Sequence, residues 1–137
     1  MRTVLVPQEV EHLATAAVNA AFAVHQTLGP GLLEGTYRQC MAIELSLNGI
    51  TVEQEKSMPL TYRGHLIANS YRLDLLLNNK LTIELKTVES VLPVHEAQLI
   101  TYIKLLHFPL GLLINFNVPL IKHGIKRILN HDFQTEN

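Results

Sequence analysis

Residues 71–88 read Tyr71-Arg72-Leu73-Asp74-Leu75-Leu76-Leu77-Asn78-Asn79-Lys80-Leu81-Thr82-Ile83-Glu84-Leu85-Lys86-Thr87-Val88. Tyr71, Leu73, Leu75 and Leu77 alternate with Arg72, Asp74 and Leu76. After the Asn pair, Leu81, Ile83 and Leu85 alternate with Thr82, Glu84 and Lys86. Alternation with period two around Asn78-Asn79 predicts a β-hairpin. Strands this apolar are usually buried on both faces, so Asp74, Glu84 and Lys86 stand out: a buried charge is costly unless paired or metal-bound. The register decides whether the two acids meet. A two-residue loop pairs 77 with 80 and sends Asp74 and Glu84 to opposite faces. A three-residue loop, Asn78 to Lys80, sets Asp74 directly opposite Glu84, with Lys86 following on that face. Three-residue loops need a left-handed residue, which Asn79 supplies more cheaply than most, so the second register is expected.

Asp74, then Glu84-Leu85-Lys86 on the next strand, resembles the active-site core of the PD-(D/E)XK nuclease superfamily, with Leu73 where the name has Pro. Gly31-Leu32-Leu33-Glu34-Gly35-Thr36-Tyr37 is similar to the GxxExxY signature of a family of small proteins in that superfamily. Pro93-Val94-His95-Glu96-Ala97-Gln98 and Gly111-Leu112-Leu113-Ile114-Asn115-Phe116 resemble that family's later blocks, and Gln98-x-x-x-Tyr102 a helix motif of RecB-type nucleases. The resemblance spans residues 10–129. It implies that Asp74 and Glu84 bind Mg²⁺, or Mn²⁺, with the Leu85 backbone carbonyl helping. Lys86 would position the attacking water or neutralise developing charge. Glu34 and Gln98 would assist, while Tyr102 and His95 would orient substrate. The implied partner is nucleic acid, DNA before RNA. Mg²⁺ suits the donors, because this hard ion binds through one or two carboxylates plus water and phosphate oxygens.

Composition narrows the remainder. A length of 137 residues, 47% hydrophobic, predicts one domain, 1–137, with a packed core. Eleven basic against twelve acidic side chains give a net charge of −1, so no global field draws in nucleic acid. The basic residues concentrate after position 55. The lone Cys40 excludes an internal disulfide, reads as an inert packed thiol and suits the cytoplasm. No apolar run is long enough to span a membrane, and the N-terminus lacks a signal-peptide pattern. Homo-oligomerisation is left open.

In chain order, Pro7, Glu9 and Glu11 open a helix over 7–28 with an apolar stripe from Val10 to Leu28, stopped by Gly29-Pro30-Gly31. His12 and His25 read as helix-face histidines rather than ligands. A second helix covers 32–48. Glu34 would pair with Arg38 on its own helix, or face the site; the resemblance favours the site. A strand over 51–63 carries Pro59, which marks an edge or a bulge, and Arg63-Gly64 turns it into the strand ending at Leu77. Helix 93–107 places His95, Gln98 and Tyr102 on one face and Val94, Ala97, Thr101 and Leu105 on an adjacent, mostly apolar one. Residues 111–116 read as a buried strand reached by a right-handed parallel crossover, and 121–129 as an edge strand whose Lys122, Lys126 and Arg127 either touch phosphate or guard the edge, the guard being slightly favoured. Residues 130–137 read as a frayed tail. The expected fold is α/β: a mixed four- or five-stranded sheet flanked by helices, a restriction-endonuclease-like αβββαβ core with an extra N-terminal helix. The expected function is a Mg²⁺-dependent phosphodiesterase; the alternative is a catalytically silent nucleic-acid-binding or assembly module of the same fold.

Overall fold

The computed structural model of the protein describes residues 4–134; Arg2, the leader reading at the extreme N-terminus and residues 135–137 of the tail lie outside them. Five strands form one mixed sheet in sequence order: β1 (Val52–Tyr62), β2 (His65–Leu77), β3 (Leu81–Lys86), β4 (Leu110–Asn115) and β5 (Ile125–Leu129). Only β3 and β4 run parallel; the other neighbours are antiparallel. The parallel pair needs a crossover, and α3 (Pro93–Leu106) supplies it.

Helices α1 (Gln8–Leu28) and α2 (Glu34–Leu47) cover one face of the sheet. Ala17, Tyr37 and Met41 there meet Leu75, Ile83 and Leu85. Helix α3 covers the other face, where Leu99 and Ile103 meet Leu73, Leu76 and Leu113. Each fully buried leucine contributes roughly 1.5–3 kcal/mol relative to exposure. The sheet admits α3 closely because position 111 is glycine: a Cβ there would lie 2.9 Å from both Leu99 and Ile103 side chains. Among the described residues no helix is long and apolar enough to cross a membrane.

Several local expectations change. The buried stripe of α3 is Leu99 and Ile103, whereas Val94, Ala97, Thr101 and Leu105 are exposed. The close approach at Gly111 sets which face of the helix looks inward. The odd positions of β2 do not share one face either. Leu75 and Leu77 pack on the α1–α2 side, but Leu73 and Tyr71 pack with α3. The switch falls at Asp74, across from Glu55, whose φ of 49° breaks the regular pleat of β1. Asn130 is not part of a free tail. It is buried, and its side-chain amide donates to the Ile103 and Phe108 carbonyls. Pro59 sits on an edge strand where the register shifts between Met58 and Leu60, so it marks both an edge and a bulge.

Candidate functional site

The hairpin adopts the three-residue register. Leu75 pairs with Ile83, Leu76 with Thr82 and Leu77 with Leu81, while Asn78 and Asn79 are both left-handed and the Lys80 N–H closes on the Leu77 carbonyl at 2.9 Å. The next pair in this register is Asp74 with Glu84. Backbone pairing stops there and side chains take over. The Leu85 N–H donates to Asp74 Oδ2 at 2.8 Å, and the Asp74 N–H lies 3.4 Å from Glu84 Oε1. The strands splay at this point, leaving two almost fully buried carboxyl groups side by side.

Burial, and then the neighbouring Asp74 charge, pushes the Glu84 carboxyl up to about 8; the Asp74 N–H and the Lys86 charge oppose the shift. Lys86 follows on the same strand, half-buried. Among the described residues it enters none of the ion pairs, so the structural role of a salt bridge to Asp74 or Glu84 is not what holds it.

Glu34 opens α2. It does not pair with Arg38, whose guanidinium goes to Glu55 Oε1 at 3.0 Å and Gln54 Oε1 at 3.3 Å. Burial raises the Glu34 carboxyl, the Asp74 charge raises it further, and Lys86, Arg38 and Arg72 lower it. The Asp74 charge thus reaches Glu34, although among the described residues Glu34 does not gather with Asp74 and Glu84 into one cluster of acids. The turn that delivers it is locked by Tyr37. Gly31 takes φ 101°, and the Tyr37 hydroxyl donates to the Gly29 carbonyl while accepting the Leu32 N–H at 3.2 Å. The Tyr37 ring stacks on Phe116 with centroids 4.4 Å apart. The spacing of Gly31, Glu34 and Tyr37 therefore has a physical basis: turn, payload and lock.

On the opposite face Tyr102 stacks on Tyr71 at 4.9 Å. Its phenol is raised by burial first and then by Glu84 and Asp74, with Arg72 and the Gln98 side chain opposing. Gln98 lies next to Tyr102, with its own side chain exposed. His95 is engaged elsewhere, at the start of α3, where its Nδ1 accepts the Leu92 N–H at 3.0 Å and caps the helix.

Asn115 is buried, and its sequence block alone gave it no role. Its Oδ1 accepts the N–H groups of Val88 at 3.1 Å and Asn117 at 3.2 Å, and its amide donates to the Val88 carbonyl at 2.8 Å. The Phe116 N–H donates to the Lys86 carbonyl at 3.0 Å. Together they hold the strand end that carries Glu84 and Lys86. A polar residue closing an apolar run was the available signal. Arg72, two residues before Asp74 on β2 and 3.8 Å from Glu55 Oε1, is a second charged residue that the sequence pattern did not single out.

Among the described residues, no three His, Cys, Asp or Glu side chains gather as a metal-ligand set. A site with only two carboxylates is poor for zinc, which takes three or four protein ligands, and suits a hard ion completed by water and phosphate. The raised Glu84 carboxyl agrees: a buried acid pair without a counter-cation retains a proton.

A comparison with curated proteins finds no match. The crystal structure of SSO0001 is similar, with a TM-score of 0.53 and 25% sequence identity over 89% of this chain and 58% of that one. The chain thus spans less than two thirds of that protein. A family model described as the PD-(D/E)XK nuclease superfamily matches residues 11–128. That match runs from the first helix to the last strand and takes in Glu34, the hairpin and Asn115: the chain belongs to the PD-(D/E)XK nuclease superfamily.

Proposed function

We propose that the protein is a divalent-metal-dependent phosphodiesterase acting on nucleic acid, DNA before RNA, and that it falls in the GxxExxY group of its superfamily. The observation that carries this reading is the meeting of Asp74 and Glu84 where β2 and β3 part, with Lys86 unpaired beside them. Asp74 Oδ2 is anchored by the Leu85 N–H, which leaves its other oxygen as a ligand. Glu84 and the Leu85 carbonyl would supply the protein's other ligands to Mg²⁺ or Mn²⁺. When bound, the ion supplies Lewis-acid polarisation of the phosphate and an acidified water. Lys86 stabilises negative charge that develops in the transition state. Glu34, partly buried with a raised carboxyl, exchanges a proton at the rim, and Gln98 and Tyr102 orient the substrate strand.

The test is a cleavage panel of single- and double-stranded DNA and RNA with Mg²⁺ or Mn²⁺. It is paired with melting curves, since a ligand that binds only the folded state stabilises it. Mg²⁺ should raise Tm for the wild type and leave Asp74→Ala unmoved. An undiminished metal response in that variant would place the ion elsewhere.

One observation favours the silent-module reading. Arg38, Lys56, Arg72, Lys80, Lys104, Lys126 and Arg127 are all in ion pairs, which among the described residues leaves Arg63, Lys86 and Lys122. Non-specific binding leans on such cations. Absence of cleavage across the whole panel would move the assignment to that reading.

A further inference from the structure

Arg38 on α2 and Arg72 on β2 converge on a single oxygen, Oε1 of Glu55. Arg38 Nη1 lies 3.0 Å from it and Arg72 Nη1 3.8 Å. The first distance is a charge-assisted hydrogen bond; the second is only a close approach. One carboxylate between two guanidiniums leaves one positive charge in excess. Arg72 keeps donors to spare, because its side chain is 60% exposed.

Glu55 is held in an unusual way. Its φ is 49°, left-handed in mid-strand, while Gln54 and Lys56 on either side keep their pairing with Leu75 and Leu73. A non-glycine residue stays there only when its surroundings over-determine it. The position lies across from Asp74, so the carboxylate that joins the two arginines stands one strand away from Asp74. Arg72 is also two residues before Asp74 on β2 itself.

We propose that Arg38 and Arg72 form a binding site for a backbone phosphate flanking the scissile one, with Glu55 occupying it as an internal anion until nucleic acid displaces it. This rests on the phosphodiesterase reading above. A phosphodiester offers two non-bridging oxygens, one for each guanidinium, whereas both now compete for one carboxylate oxygen. Guanidinium forks suit such bidentate recognition better than lysine does.

The experiment measures binding of fluorescent single- and double-stranded oligonucleotides by anisotropy in EDTA over a salt series. It compares wild type, Glu55→Gln and Arg72→Ala. Glu55→Gln should tighten binding. Arg72→Ala should weaken it and flatten the slope of log K against log salt by about 0.7–0.9. If Glu55→Gln folds poorly, Glu55→Gly, which suits the left-handed backbone, takes its place. Inorganic phosphate, followed by NMR at the arginine Nε–H signals, is the activity-independent arm. Phosphate shifts that grow in Glu55→Gln and vanish in Arg72→Ala support the site. If they occur while no oligonucleotide is bound or cut, the anion site stands and the nuclease reading falls. Cleaving wild type with both variants unchanged in affinity and slope overturns the anion site and leaves the nuclease reading intact.

Discussion

Glu84 is an acid that the fold buries beside a second acid, and its ionisation is coupled to folding. Its carboxyl is raised to about 8 from an ordinary 4.5, so the folded state holds a proton that the unfolded chain releases. The stability this contributes is fully present below pH 4.5 and is lost as pH rises through 8. In metal-free buffer, Tm should therefore fall between pH 5 and 9. Glu84→Gln should flatten that dependence, and Mg²⁺ should restore wild-type Tm at pH 8.5. A flat wild-type profile measured by scanning calorimetry would contradict the coupling. Lys86 makes the complementary case. Lys86→Ala removes a cation beside two carboxylates, so metal-induced stabilisation should persist, whereas cleavage should drop by about 10²–10³-fold, as for loss of one transition-state donor. Unchanged kcat in that variant would remove Lys86 from the chemistry. Asp74, Glu84 and Lys86 were legible as candidates because charge inside an apolar strand is conspicuous. Glu55, Arg72 and Asn115 were not, since their significance depends on partners 17 to 27 residues away that only the folded chain brings near.

The hairpin was legible for an equally local reason: two asparagines tolerate left-handed backbone, and a loop of three residues leaves one register in which both acids share a face. The layer switch at Asp74 was hidden, because it follows from a strained residue on the neighbouring strand rather than from the pattern of β2 itself. The inward face of α3 was not legible, because its amphipathicity is weak and Gly111, on the strand that follows it, admits Leu99 and Ile103. Tyr37 shows how an element carries a site residue. Tyr37→Phe keeps the stack on Phe116 but removes the hydroxyl from the Gly29–Leu32 turn. Stability should fall by about 1–3 kcal/mol, the cost of stranding turn groups, and cleavage should fall by more than that loss explains, because Glu34 is no longer held. Denaturant titration and kcat/KM at a temperature where both proteins are folded separate the two effects. Activity that merely tracks the folded fraction would show the lock to be structural only.

At the scale of the molecule, the proposed phosphodiesterase would have to hold a polyanion on a chain of net charge −1 that carries two buried acids. Among the described residues seven cations are already paired, and without a divalent ion the Asp74–Glu84 pair, even holding one proton, keeps a negative charge that repels the phosphate nearest to it. A bound divalent cation reverses that local sign. Binding should thus be conditional on metal to a degree that a broadly basic nuclease would not show. Ca²⁺ is the useful probe, being a hard ion for the same oxygen donors. Oligonucleotide affinity by anisotropy should be weak in EDTA and tighten at least tenfold, about 1.4 kcal/mol, when millimolar Ca²⁺ is added. Asp74→Ala should remove one of the opposing charges and the metal together. Its affinity in EDTA should then equal or exceed that of wild type, while the gain with Ca²⁺ disappears. The crossing of those two responses is the diagnostic, because a variant that simply misfolds loses affinity under both conditions. A wild type that binds equally well in EDTA and Ca²⁺ would mean that its nucleic-acid surface lies away from Asp74 and Glu84.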